Sequence, residues 1–200
     1  MLSQAIHRIQ HHRPWSLRRK GREAAVLIPI THSEEHPEII LTVRSSTLNT
    51  HQGEVCFPGG KRDPDDLQLK QTALRETEEE LGIQSKDIEL CGALGQVVSK
   101  HHLHVTPWVG LIPPQLPLHP NPEEIARVFN VPIRYFLEQG APKLQRLSVE
   151  GQIWELPYWD YQGEHIWGLT AYIICELLTV GFKMPMPMPT RPERGMGSSA

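Results

Sequence analysis

Apolar residues follow two different rhythms along this chain. Ala24 to Ile30 is an unbroken apolar run and Ile39 to Val43 is a second. The polar stretch holding Glu34, Glu35 and Pro37 lies between them, so they read as buried strands of a hairpin with a loop of about four to eight residues. Further strands are predicted at Ile88 to Gln96, His104 to Leu111, Gln152 to Trp159 and Glu164 to Trp167, with a turn at Gln162-Gly163. Helical spacing takes over where Leu67, Leu74, Thr77 and Leu81 fall near one face. Asp65 or Asp66 is placed to cap that helix, and Gly82 to end it in the left-handed conformation. A last helix is predicted from Leu169 to Val180, with Ala171, Ile174, Cys175 and Leu178 on its inner side. Strands mixed with helices, without a repeating β-α-β alternation, predict an α+β fold: an α-β-α sandwich around a mixed sheet.

The ends depart from this pattern. From Met1 to Arg22 there is no acidic residue, while Arg8, Arg13, Arg18, Arg19, Lys20 and Arg22 are basic, and Leu2, Ile6 and Ile9 share one helical face. Residues 1–22 therefore read as a basic, helical segment, either an Arg-rich mitochondrial presequence or a short helix lying on the domain; the lack of a long apolar core excludes a secretory signal. From Met184 to Pro189 methionine and proline alternate, which denies the backbone its amide donors and predicts an extended or disordered tail over 184–200. One folded domain, 23–183, is left between them. It has no run of eighteen apolar residues, and its chain's net charge of −3 decides nothing about polyanions, so neither a membrane nor a nucleic-acid partner is called for. Cys56, Cys91 and Cys175 are widely spaced without a C-x-x-C pair, which fits free thiols in a cytoplasmic enzyme.

Candidate chemistry concentrates on the first helix. Glu76, Glu79 and Glu80 stand at i, i+3 and i+4, neighbours on one face. Carboxylates packed together repel, which raises their pKa values unless cations neutralise them; hard divalent ions such as Mg2+ or Mn2+ do so and keep waters for a substrate phosphate. Arg75 is spaced to brace one of them, and Glu78 points elsewhere. Three glutamates on a helix are also an ordinary solvated surface. The order of the surrounding features adds weight to the metal reading: a glycine-rich turn holding Phe57-Pro58-Gly59-Gly60, an acidic helix start, the Arg-Glu pair and a closing glycine.

The segment from Gly60 to Ile83 resembles the Nudix box, G-x5-E-x7-R-E-U-x-E-E-x-G-U, with U a bulky aliphatic residue. Gly60, Arg75, Glu76, Glu79, Glu80, Gly82 and Ile83 match; Thr77 replaces the first U, and eight residues rather than seven separate Asp66 from Arg75. One branch of that family, the coenzyme A pyrophosphatases, has the shifted form G-G-K-x-D-x-x-D, which reads here Gly59-Gly60-Lys61-Arg62-Asp63-Pro64-Asp65-Asp66. Its further signature, L-L-T-x-R-S-x3-R-x3-G-x3-F-P-G-G, is met by Ile40-Leu41-Thr42-Val43-Arg44-Ser45, Gly53 and Phe57-Pro58-Gly59-Gly60, with Asn49 in place of the second arginine. The similarity spans roughly residues 24 to 180.

The resemblance implies a Nudix fold and hydrolysis of the pyrophosphate bond of coenzyme A or its derivatives, giving 3′,5′-ADP and 4′-phosphopantetheine. It implies Mg2+ or Mn2+ held by Glu76, Glu79, Glu80 and the Gly59 carbonyl. Glu79 or Glu124 would act as general base and Arg75 in the catalytic set, with Arg44, Lys61 and Gly60 binding substrate and a homodimer as the expected assembly. A Nudix hydrolase of a dinucleotide or nucleotide sugar is a second reading, and a non-catalytic nucleotide-binding regulator a third. His101, His102 and His104 are spaced poorly for tetrahedral zinc and are expected at the mouth of the site or in solvent. Trp154, Trp159 and Trp167 suit adenine stacking or, more commonly, a core or a dimer contact.

Overall fold

The computed structural model describes residues 1–17, 21–45, 53–149 and 152–186. In chain order these form α1 (Leu2–Gln10), β1 (Arg22–Thr31), β2 (Glu38–Arg44), β3 (Val55–Cys56), β4 (Gly59–Lys61), α2 (Leu69–Leu81), β5 (Glu89–Ala93), β6 (Val97–Val98), β7 (Leu103–Ile112), β8 (Ile125–Pro132), α3 (Ile133–Gln139), β9 (Lys143–Val149), β10 (Gln152–Tyr161), β11 (Glu164–Trp167) and α4 (Gly168–Phe182).

Alternation along β1 explains the layers. Ala25 and Leu27 face one apolar cluster with Ala73 and Leu81 of α2, while Ala24, Ile28 and Ile30 face a larger one with α1 and α4. The sheet between them runs β3-β2-β1-β7-β5, with β4 on β1, β6 on β7 and β8 on β2. It is mixed, since β1 is parallel to β7 from Arg22↔Leu103 to Thr31↔Ile112 and antiparallel to β2 and β4. The expected α+β sandwich with a mixed sheet is therefore what the chain forms. A second sheet, β11-β10-β9, stands beside it.

The predicted hairpin is tied in the β1–β2 ladder only at Ile30↔Ile39, because β4 takes over β1 at Ala24 to Val26 and β3 takes the same edge of β2 at Thr42 and Val43. Strands β8 and β9 and helix α3 carry no clear sequence signal: β8 is only patchily buried, and β9 is exposed on both faces where described. The predicted strand at Ile88 to Gln96 is shortened to β5, which carries a bulge between Leu90 and Gly92, and the short β6 follows beyond the predicted range. Helix α4 is buried around most of its circumference, not on one inner side, since α1, β10 and β11 all pack on it.

At the N-terminus, Leu2, Ala5, Ile6 and Ile9 of α1 are buried. The Glu34 carboxylate accepts the otherwise orphan amides of Leu2 (3.1 Å) and Ser3 (2.8 Å), and Arg8 donates to the Gly181 carbonyl at 2.6 Å. Arg18, Arg19 and Lys20 lie outside the described residues. Where the tail begins, Met186 is buried in the larger cluster rather than free of the domain, a departure from the extended tail predicted from Met184 onward; residues 187–200 lie outside the described set. Replacing Ile9 by alanine should destabilise the fold by about 2–4 kcal/mol, measured by denaturant unfolding, because its side chain fills the α1–α4 contact. A loss under about 0.5 kcal/mol would show that α1 is only loosely seated.

Candidate active site

Helix α2 begins later than its acidic approach suggests. Its N-cap is Gln68, whose amide donates to Gln71 Oε1 at 2.8 Å; Asp65 and Asp66 precede the helix and do not cap it, and Leu67 is exposed. Asp66 has a different task. Its buried carboxylate accepts Thr72 Oγ1 (2.9 Å), the Asp63 amide (3.0 Å) and Arg75 Nη2 (3.1 Å). The Arg75 guanidinium holds that carboxyl well down, at about 2, against desolvation acting the other way. At the far end, Gly82 takes φ 71° and its amide bonds the Glu78 carbonyl at 2.9 Å, the left-handed stop predicted for it. Thr77 is fully buried, with its hydroxyl satisfied by the Ala73 carbonyl at 2.7 Å, which explains how it stands where an aliphatic residue is usual in the box.

Three glutamates leave α2 into three environments. The Glu80 side chain is 2% exposed; Oε2 accepts the Gly59 amide at 3.2 Å, and Oε1 lies 3.7 Å from Arg44 Nη1. Burial pushes its pKa up to about 8, opposed by the Gly59 amide and Arg44, with smaller upward pushes from Glu76 and Glu124. Glu76 is also raised, again chiefly by burial, with Arg75 opposing and Glu79 and Glu124 adding. Repulsion within the cluster, the cause named from the sequence, is secondary to desolvation. Glu76 lies against Gly60 so closely that a Cβ there would fall 2.3 Å from its carboxyl carbon. Glu79 is more than half exposed, and Arg75 Nη1 holds it at 3.1 Å and Glu76 at 2.9 Å.

Two further segments complete the site. The β2–β8 register shifts at Val43/Arg44, which sets Arg44 opposite Ile125. The chain before β8 docks on α2: the Asn121 amide bonds the Glu80 carbonyl (2.9 Å), and the Ser45 amide bonds the Glu124 carbonyl (2.8 Å). Glu124, from a distant loop, is so brought within electrostatic reach of Glu76 and Glu80. Lys61 is exposed, and its carbonyl accepts Arg75 Nη2 at 3.1 Å. Asn49 lies outside the described residues. Sequence reasoning quoted Asp66 as part of a motif but missed it as the anchor of Arg75, and missed Thr72 entirely; the shared spacing of Asp66 and Arg75 was the available signal.

The donor set fits a hard divalent ion in chemistry: carboxylate oxygens that burial holds above the usual carboxylate range, beside an Arg44 Nε with no hydrogen-bond partner among the described residues. No three acidic, histidine or cysteine side chains among the described residues converge closely enough to enclose such an ion by themselves. Mg2+ is commonly held by one or two carboxylates while water and substrate oxygens fill the rest. His101 and His102 are exposed on the β6–β7 turn and His104 lies over Gly21, so no imidazole cluster forms there. Trp159 is a core residue, 3% exposed and edge-on to Phe136 at 5.2 Å; Trp154 and Trp167 stand on the second sheet.

A glycine turn, a box helix and its arginine brace come together as one unit, and the NUDIX domain family model matches residues 21–148. The chain belongs to the Nudix hydrolase family. Nudix hydrolases act on small nucleotide-derived molecules and generally use divalent ions such as Mg2+ or Mn2+, and membership makes this chain an enzyme, a pyrophosphohydrolase. The uncharacterised Nudix hydrolase NudL of Photorhabdus laumondii is 43% identical over 164 residues, covering 82% of this chain and 87% of that protein. NudL of Yersinia pestis is 43% identical over 157 residues, 78% of each chain. Among solved structures, an Ap4A hydrolase of C. elegans aligns with TM-score 0.48 and 20% identity over 58% of this chain and 84% of that one. The Nudix hydrolase RenU of M. smegmatis aligns with TM-score 0.49 and 19% identity over 64% and 78%.

Proposed function

We propose that this Nudix hydrolase cleaves the pyrophosphate bond of coenzyme A or its acyl derivatives, releasing 3′,5′-ADP and (acyl-)4′-phosphopantetheine. The observation that carries the reading is the meeting of the Ile40 to Gly60 signature with the box: Arg44 and the Gly59 amide both approach the same Glu80 carboxylate. Thr42 fastens the intervening strands by donating to the Cys56 carbonyl at 3.0 Å, so β2 and β3 hold Arg44 in place.

In this reading Glu76 and Glu80 hold Mg2+ or Mn2+, with Glu79 and the Gly59 carbonyl available to complete the set. A bound divalent ion would supply Lewis acidity toward a phosphoryl oxygen and a bound water of lowered pKa. The chain's own groups then divide the work. Arg44 offers its guanidinium to a substrate phosphate, helped by Lys61 and the open backbone at Gly60. Arg75, pinned by Asp66, orients Glu76 and Glu79. Of the two acids proposed as general base, Glu79 is already engaged by Arg75, whereas Glu124 lies within electrostatic reach of the buried pair, which favours Glu124 for taking a proton from water.

Incubation with coenzyme A, ADP-ribose, NADH and dinucleoside polyphosphates, each with Mg2+ or Mn2+, tests this. Fastest turnover is expected on coenzyme A, with 3′,5′-ADP as product; faster turnover of another member would replace the substrate. Asn49, standing where the signature has an arginine, is the residue that favours that second reading. We place the enzyme in the cytoplasm, since its three cysteines are unpaired thiols and cleavage after α1 would strip buried apolar residues from α4.

A further inference from the structure

The turn between β6 and β7 presents a cation that is linked to the active site through Glu54 and Arg44. Ser99 organises it: its hydroxyl accepts the amides of His101 (3.3 Å) and Leu103 (3.1 Å), and its carbonyl accepts the amide of His102 (2.9 Å). His102 takes the left-handed conformation at φ 57°, which closes the turn. Arg22 Nη2 donates to the His101 carbonyl at 3.4 Å and ties the turn to the start of β1. Lys100, at the tip, reaches back to Glu54, with Nζ 2.9 Å from Oε1. Glu54 belongs to the signature loop, where its carbonyl accepts the Arg44 amide at 3.1 Å, and Arg44 is the residue beside Glu80. Contacts therefore run without a break from the box carboxylate to this lysine.

The Lys100–Glu54 pair is not a buried structural bridge. The lysine side chain is 56% exposed, so its ion pair is worth little in water and two of its three ammonium protons stay available. A phosphate dianion is a stronger partner for an ammonium than one shared carboxylate oxygen. Arg44 answers for the phosphates next to Glu80; a cation two contacts further out, beyond Glu54, is available for a phosphate that is not being cut.

We propose that Lys100 forms a subsite for a phosphomonoester carried by the substrate outside its pyrophosphate. The subsite rests on the coenzyme A reading for its natural ligand, since coenzyme A carries such a group on its ribose and the simpler pyrophosphates do not. The test is calorimetric titration of the full chain, with Mg2+, using 3′,5′-ADP and AMP, which differ only in that phosphate. The wild-type chain should bind 3′,5′-ADP about tenfold more tightly than AMP, and Lys100→Gln should reduce the preference to within about twofold while leaving AMP unaffected. Glu54→Gln should keep or enlarge the preference, because it frees the ammonium. Equal binding of both nucleotides by the wild type, or a preference that survives Lys100→Gln, overturns the subsite. So does loss of the preference in Glu54→Gln to the same degree, which would mean that Lys100 acts only by holding the loop. A chain that shows the preference yet turns over no coenzyme A overturns the substrate reading and leaves the subsite standing.

Discussion

Replacing Glu80 by glutamine should lower turnover by at least about 100-fold, more than loss of an outer-shell partner of a metal ligand usually costs, while the fold stays intact or gains stability. Glutamine fills the same space and still accepts the Gly59 amide, so packing around the 2%-exposed side chain is kept. What is lost is the negative charge, which is the part a divalent ion requires. The sign of the pH effect follows from burial. Glu80 is raised from 4.5 to about 8, so the folded state keeps a proton that the unfolded chain has released. That contribution is fully present below 4.5 and fades as pH rises through 8, by an amount on the order of a few kcal/mol. Metal-free wild-type protein should therefore lose thermal stability between pH 5 and pH 9, Glu80→Gln should lose less, and Mg2+ or Mn2+ should restore the wild type alone. Activity within about threefold of wild type would remove Glu80 from the metal set. Identical pH profiles of the two proteins would remove the account of its burial.

Sequence spacing revealed the carboxylate face because a helix repeats, and Glu76, Glu79 and Glu80 lie on one side of any helix that contains them. It did not reveal that the three would be used differently. Glu80 is buried because Gly59 and Arg44 arrive from β4 and β2, and Glu79 is exposed because none of the described elements covers the outer turn; both depend on elements that meet only in the folded chain. The layers were legible in the apolar runs of β1 and β7, which are covered on both sides. Strand β9 was not, because a strand in solvent on both faces has no alternation to read. Asp66 was legible as a motif position and illegible as a contact. The turn at Asp63 to Asp66, closed by the Asp66 amide on the Asp63 carbonyl at 3.0 Å, presents the carboxylate to Arg75, so carboxylate and guanidinium meet despite the extra residue between them.

That contact supports the second large effect. Asp66→Ala would leave Arg75 without its strongest partner, and would leave the Thr72 hydroxyl and the Asp63 amide without their shared acceptor, at a side chain only 8% exposed. Removing one member of such a network costs about 3 kcal/mol, a fall in Tm of roughly 6–12 °C for a chain of this size. The freed guanidinium has three anions left, Asp63 Oδ2 at 3.9 Å, Glu76 Oε1 at 2.9 Å and Glu79 Oε2 at 3.1 Å, and would compete at the two glutamates with a divalent ion. The Mg2+ concentration for half-maximal activity should rise about tenfold in the variant. Acidity separates this effect from a general loss of packing. Asp66 is lowered from 3.8 to about 2, so its contribution is present above 3.8 and disappears as pH falls through 2. The stability gap between wild type and Asp66→Ala should stay level from pH 8 to about 4 and close near pH 2. A gap that persists at pH 2 would assign the loss to packing, and a variant as stable as wild type at pH 7 would show that Arg75 needs no anchor.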